Sequence, residues 1–199
     1  LTILSGPAAS VAGGLLHQRV TNGIFVEVGG TSTNISIIKN GKPEIRYVTI
    51  NEHPTCIRSM DVRILGVAGG SMCQLKNNRV YKVGPRSAHI AGLKYSCYAE
   101  PEELKGGKII FVKPKENDDE YVAIENNGKT FAITNTCAAN AIDSIEKGDY
   151  AYANQESARI ALTILGEHLG LSFFEAASSI IQTASFMIIK TVSKILKEF

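Results

Sequence analysis

The sequence predicts a mixed α/β protein, and three observations carry that prediction. β-branched and aromatic runs flank the glycine pair Gly29-Gly30 over residues 24–38 and continue in alternation to residue 50, which reads as an antiparallel or mixed sheet. Short apolar runs separated by Asn/Gly turns fill the middle of the chain as a β-rich insertion. The last third carries apolar residues at helical spacing, interrupted at Gly170, and predicts a C-terminal helical hairpin.

Composition sets bounds on function. At 199 residues, 44% hydrophobic and 20% charged, the chain can build one sizeable core or two small subdomains. The net charge of +2 comes from mixed acidic and basic residues, with no basic stripe and no interleaved aromatics, so no nucleic acid is expected as a partner. No apolar run reaches the roughly 18 residues of a membrane span, so no membrane is expected either. Cys56, Cys73, Cys97 and Cys137 are widely spaced and form no C-x-x-C, which fits reduced thiols in a cytoplasmic protein. The chain opens at Leu1 within a motif-like stretch and is expected to be a piece of a longer polypeptide.

Taken in order, Ser5-Gly6-Pro7-Ala8 opens a helix, with Pro in the first turn and Ser5 or Gly6 as the cap. The small residues of this helix suit either an anion at its N-terminus or close packing on a sheet. It should end between His17 and Arg19. Strands follow on either side of Gly29-Gly30, then the Asn40-Gly41 hairpin signal and a third strand near residues 44–50, together an antiparallel meander. Residues 57–65 are short helix or extended chain; periodicity does not separate the two. Gly66-Val67-Ala68-Gly69-Gly70-Ser71 is a side-chain-poor loop. Strands at 72–75 and 80–83 turn at Asn77-Asn78, and Gly84-Pro85 ends that hairpin. Residues 84–102 read as irregular, 109–112 as a strand and 113–120 as a charged, solvated loop. Strands at 121–124 and 130–134 pair across Asn126-Asn127-Gly128, and a helix covers 138–145. Ala158, Ala161, Leu162, Leu165 and Leu169 form one apolar helix face, Gly170 caps it, and Ser172-Phe173-Phe174-Glu175 starts the final helix with a capping box. The aromatics of that helix and Met187 are expected in the core.

The chemical inventory narrows the choice. The four histidines share no metal-ligand spacing, and H-E-x-x-H, G-x-S-x-G and G-x-x-x-x-G-K-[ST] are all absent. Cys97 has no paired histidine to activate it as a nucleophile. The distinctive residues are instead Gly29, Gly30, Thr31, Ser32 and Thr33, a strand–turn–strand tip where absent Cβ atoms bare main-chain N–H groups and hydroxyls add donors. Such a tip can cradle a phosphate. The same residues also suit an ordinary hairpin turn. Gly69, Gly70 and Ser71 make a second candidate loop, in which Ser71 either faces a cleft or caps its own turn.

Ser5-Gly6-Pro7-Ala8, the Glu27–Ser36 turn, Gly66–Ser71, Val83-Gly84-Pro85-Arg86-Ser87-Ala88 with Cys97-Tyr98, and Thr134-Asn135 with Ala138-Ala139-Asn140 together resemble the hydantoinase A / 5-oxoprolinase family, as does the segment from Ala151 to Ala184. The resemblance covers most of the chain apart from roughly residues 102–130. It implies a fragment of an actin-like ATPase domain: a sheet region carrying the phosphate hairpin over 1–100, a β-rich insertion over 101–135 and a helical region over 136–199. It further implies ATP and Mg²⁺ as cofactors and a cyclic amide, a hydantoin or lactam, as substrate. The ring carbonyl would become an acyl phosphate that water then hydrolyses. By resemblance Gly29–Thr33 and Gly69–Ser71 contact the nucleotide, and Glu27 is the candidate metal ligand.

This chain also departs from the family pattern. Glu27, Asn34 and Asn135 stand where the family has aspartates, and Val67 and Ala68 where its loop has alanine and glycine. The family's opening glycine–threonine phosphate turn and its late nucleotide loop are not within these residues, so the rest of the polypeptide or a partner subunit is expected to complete the site. A homo-oligomer is possible. An ATP-dependent carboxylase subunit and a divergent, non-catalytic nucleotide- or partner-binding member are the alternatives.

Overall fold

A computed structural model describes residues 5–50 and 53–198. The chain forms two compact units, Leu1–Gly29 with Thr33–Leu65, and Gly30–Ser32 with Gly66–Phe199.

In the first unit, helix α1 (Ser5–Gln18) ends inside the expected window. The residue before Ser5, where its cap would be read, lies outside the described residues. One of its small residues serves packing: a Cβ on Gly14 would fall 2.5 Å from Cε2 of Phe25, so helix and strand meet across a bare glycine, whereas Gly6 and Gly13 have nothing within 4 Å. Strands β1 (Gly23–Val28) and β2 (Thr33–Lys39) pair antiparallel from Gly23↔Ile38 to Val28↔Thr33. β2 is the buried strand, with Ile35, Ile37 and Ile38 in the core, whereas β1 alternates between half-buried and exposed. Asn40 and Gly41 both take left-handed φ (51° and 72°), the geometry that an Asn-Gly hairpin requires.

The expected meander stops there. β3 is only Lys42–Pro43, and strand β4 (Ile45–Ile50) leaves the sheet to pair with β5 (His53–Met60) in a two-stranded ribbon. Pro43 lacks an N–H and cannot extend a ladder. The remaining edge of β2, Thr33–Ser36, is taken by β6 (Val62–Leu65), so 57–65 is extended chain broken only at Asp61. Asp61 accepts from Arg46 Nε at 2.9 Å and Arg63 Nε at 2.7 Å and ties ribbon to sheet.

The second unit begins with the hairpin of β7 (Ser71–Lys76) and β8 (Arg79–Ser87), turning at Asn77-Asn78. β8 does not end at Gly84-Pro85 as the sequence suggests; a register shift between Ser71 and Cys73 absorbs the extra residues and pairing resumes at Ser87. Residues 84–102, read as irregular, hold elements too short to show a period: α2 (Ala88–Ala91), β9 (Lys94–Tyr95), a 3₁₀ turn at Ser96–Tyr98 and α3 (Pro101–Leu104). Strands β10 (Lys108–Val112), β11 (Tyr121–Asn126) and β12 (Lys129–Ala132) form an antiparallel sheet, and β9 joins β12 in parallel. The charged run 113–120 is anchored rather than simply solvated. Asp118 accepts from Arg86 Nε at 2.8 Å, with both side chains about four-fifths covered, and Asp119 meets Lys82 Nζ at 2.9 Å.

Helix α4 (Asn135–Ala141) starts three residues earlier than expected because Thr134 Oγ1 caps Cys137 N, and it ends before residue 145. Helices α5 (Gln155–Leu169) and α6 (Phe173–Leu196) form the expected hairpin, with Gly170 left-handed at the C-cap and the Ser172/Glu175 capping box in place. Ala158, Ala161, Leu162 and Leu165 pack with Ala176, Ala177, Ile180 and Ala184, and α6 also rests on β8. The aromatics are a correction: Phe174 is 55% and Phe186 66% exposed, and Met187 is only half-buried. Alanines line the contact because they let helices approach closely, and that rotates the phenylalanines outward. By length and composition α6, 24 residues with a hydropathy of 1.2, is long and apolar enough to cross a membrane, contrary to the sequence expectation. Its alanine face is nonetheless packed on α4 and α5.

Glu103 joins α3 to the sheet, accepting from Lys129 Nζ (2.8 Å), Lys94 Nζ (2.9 Å) and Glu100 N (3.0 Å). Lys129 first, then Lys94, hold its carboxyl near 2 against an ordinary 4.5. A lowered folded pKa contributes stability that is present above about 4.5 and lost as pH falls toward 2. Glu103→Gln should therefore lower the Tm at pH 7, and the gap to wild type should shrink as pH drops from 4.5 toward 2. A gap independent of pH, in melts followed by circular dichroism, would count against this role.

Candidate functional site

The tip between β1 and β2 is Gly29–Ser32. Gly29, Gly30 and Thr31 are exposed, Ser32 is half-buried and Thr33 is buried at the start of β2. The glycines do not serve left-handed backbone: neither Gly29 nor Gly30 has positive φ. A Cβ on Gly30 would meet nothing within 4 Å. Neither backbone strain nor an internal neighbour therefore demands glycine at position 30, and what the missing side chain leaves is open space in front of the main chain.

Below the tip, Gly66–Gly70 is locked by its own polar groups. Gly70 N donates to Gly30 O at 2.8 Å, Ala88 N to Gly70 O at 2.9 Å and Thr136 N to Gly69 O at 2.8 Å. Asn135 Nδ2 donates to Ala68 O at 2.8 Å. Ser71 is fully buried; its hydroxyl accepts from Ala68 N at 2.9 Å and donates to Gly66 O at 3.4 Å. Of the two openings left by the sequence for Ser71, the structure takes the loop cap. Gly70 N and Ser71 Oγ are thus spent inside the protein, and the loop braces the Gly30 carbonyl from behind.

Glu27 stands on β1 directly opposite Asn34 on β2, and Asn34 Nδ2 donates to Glu27 Oε2 at 2.8 Å. The carbonyl oxygen of the same amide, Asn34 Oδ1, is buried and has no partner among the described residues, and the same holds for Asn135 Oδ1. Among the described residues no group of three or more His, Cys, Asp or Glu could hold a metal ion. Mg²⁺ is commonly held by one or two carboxylates together with phosphate oxygens and water. Glu27 fits as a single such carboxylate, not as part of an all-protein cage.

Cys73, Cys97 and Cys137 are sealed in the core, out of reach of a substrate, and burial rather than thiol acidity makes them unsuited to nucleophilic work. Cys97 and Cys137 are fully buried, and Cys137 Sγ lies 3.2 Å from both Ser96 Oγ and Thr134 Oγ1. The hydrogen bond with Cys137, then burial, pushes the Cys97 thiol up; burial pushes Cys73 up to about 12.

The Hydantoinase/oxoprolinase family model matches residues 1–198. The chain belongs to the hydantoinase/oxoprolinase family. A relative, caprolactamase subunit alpha of Pseudomonas jessenii, is 33% identical over 90 residues, which is 43% of this chain and 13% of that subunit. Two solved structures share the fold. Nucleotide-free acetone carboxylase, from a study of ATP-dependent acetone carboxylation, superposes with a TM-score of 0.71 at 19% identity over 98% of this chain and 25% of that one. The ATP-dependent caprolactamase of Pseudomonas jessenii superposes with a TM-score of 0.61 at 24% identity over 94% of this chain and 24% of that one. The fold is thus the mixed α/β, actin-like one of this family, and the chain spans about a quarter or less of the length of these proteins.

Proposed function

We propose that this hydantoinase/oxoprolinase-family chain is part of a cytoplasmic, ATP-dependent enzyme that opens a cyclic amide, a hydantoin or lactam, through a phosphorylated intermediate. The observation that carries the proposal is the turn itself: exposed main chain at Gly29–Thr31, open space where a Gly30 side chain would stand, and a loop bonded behind it through Gly70 N. Main-chain donors fixed in this way stabilise an anion without reorganising. When bound, ATP supplies the phosphoryl group that activates the ring carbonyl.

The roles of this chain's own residues follow. Gly29, Gly30 and Thr31 present N–H donors and the Thr31 hydroxyl to the phosphate oxygens, and the Gly66–Ser71 loop keeps the tip from yielding. Glu27 contributes one carboxylate toward a Mg²⁺ that arrives with the nucleotide, its position fixed by the Asn34 amide. The remaining contacts come from the rest of the polypeptide or a partner subunit, in keeping with a relative that is itself described as a subunit alpha.

A carboxylase subunit is the second reading, favoured by the 0.71 superposition on acetone carboxylase. Both enzymes require ATP. Calorimetric titration of the full-length protein with Mg-ATP should give saturable binding, and no detectable binding would remove both readings and leave a partner-binding protein. Turnover of a hydantoin or lactam, against bicarbonate-dependent use of a ketone, separates the two enzymes.

A further inference from the structure

Tyr95 lies in a stretch whose sequence carries no signal, yet the fold brings it to the Gly30–Gly70 contact. Its ring packs on the core formed by Met72, Ala88, Tyr121 and Ala132, and stands 5.7 Å from the Tyr98 ring. Its hydroxyl reaches Gly70. A Cβ built there would fall 2.1 Å from Tyr95 Oη and 2.7 Å from Gly30 O, so hydroxyl and carbonyl crowd the same point. Only glycine at position 70 leaves room for both.

That hydroxyl is unspent. Among the described residues it forms no hydrogen bond, although nearly every polar group around it does. The residue is half-buried, and Oη is not among the sealed, unpartnered atoms. An anchored ring with an open O–H beside an anion-accepting turn is the arrangement of a ligand donor, because little side-chain freedom remains to be lost on binding.

We propose that the Tyr95 hydroxyl donates a hydrogen bond to a phosphoryl oxygen of the ligand held at Gly29–Thr31. The inference rests on the phosphate role of that turn. Burial raises the phenol's pKa above its ordinary 10, so the group is a neutral donor throughout the physiological range. A neutral donor adds a bond without adding charge to a site that already faces a phosphate chain and its cation.

The test compares wild type, Tyr95→Phe and Gly30→Val as full-length proteins, titrated with Mg-ATP, Mg-ADP and adenosine, with thermal melts alongside. Tyr95→Phe keeps the ring and should keep the Tm. It should weaken ATP and ADP about tenfold, the scale of one hydrogen bond to a charged group, and leave adenosine unchanged. If Gly30→Val loses ATP while Tyr95→Phe binds it like wild type, the Tyr95 role is wrong and the turn's role stands. Equal weakening of adenosine and ATP would make Tyr95 a packing residue only and also overturns the proposal. Undiminished ATP binding by Gly30→Val removes the phosphate reading, and the Tyr95 contact with it.

Discussion

Gly30→Val in the full-length protein should weaken Mg-ATP binding by at least about 100-fold, or about 2.7 kcal/mol, while leaving the thermal melt in place. The two halves of this expectation have separate causes. Gly30 has no positive φ, and a Cβ there has nothing within 4 Å, so the branch point of a valine side chain meets no protein atom. The Gly30 carbonyl, which accepts from Gly70 N, is part of the main chain and is retained. The isopropyl group would instead fill the volume through which an anion reaches the N–H groups of the tip. Unchanged affinity would show that no ligand occupies that volume. A large fall in Tm would show that glycine at position 30 serves the fold.

Gly84→Ala should produce the largest loss of stability. Gly84 has φ +74°, and a Cβ there would sit 2.0 Å from Gly66 O and 3.1 Å from Gly66 C, both main chain. A left-handed non-glycine residue costs about 1–2 kcal/mol by itself. The overlap adds more, because Gly66 opens the loop that Ser71 closes and cannot retreat without breaking it. A total of about 3–5 kcal/mol, a Tm fall of roughly 6–20 °C for a chain of this size, is expected. Gly128→Ala is the internal comparison: φ is +75°, nothing lies within 4 Å, and only the conformational cost should appear. Equal effects of the two substitutions would contradict the steric account.

Features read correctly from sequence are those governed by neighbouring residues. The Asn40-Gly41 and Asn127-Gly128 turns, the Gly170 cap and the Ser172/Glu175 box each follow from local backbone chemistry, and all are present. What the sequence concealed was non-local. Nothing near Ile45–Ile50 says that this strand will abandon β2 for β5. On α6 the alanine stripe and the phenylalanine stripe share a helical period, so periodicity could not say which would be buried. The candidate site divides along the same line. Its tip is legible because Gly29-Gly30 stands between two β-branched runs. The bond from Gly70 to Gly30, and the hydroxyl of Tyr95 above it, join residues tens of positions apart and leave no local trace.

Of the four free cysteines, Cys73, Cys97 and Cys137 are buried, whereas Cys56 is exposed on β5 of the two-stranded ribbon. Nature has thereby left a built-in attachment point. A maleimide dye or spin label would find one accessible thiol among these four without engineering, on a strand remote in sequence from the Gly29–Ser32 tip, and so could report on that ribbon when a ligand is added.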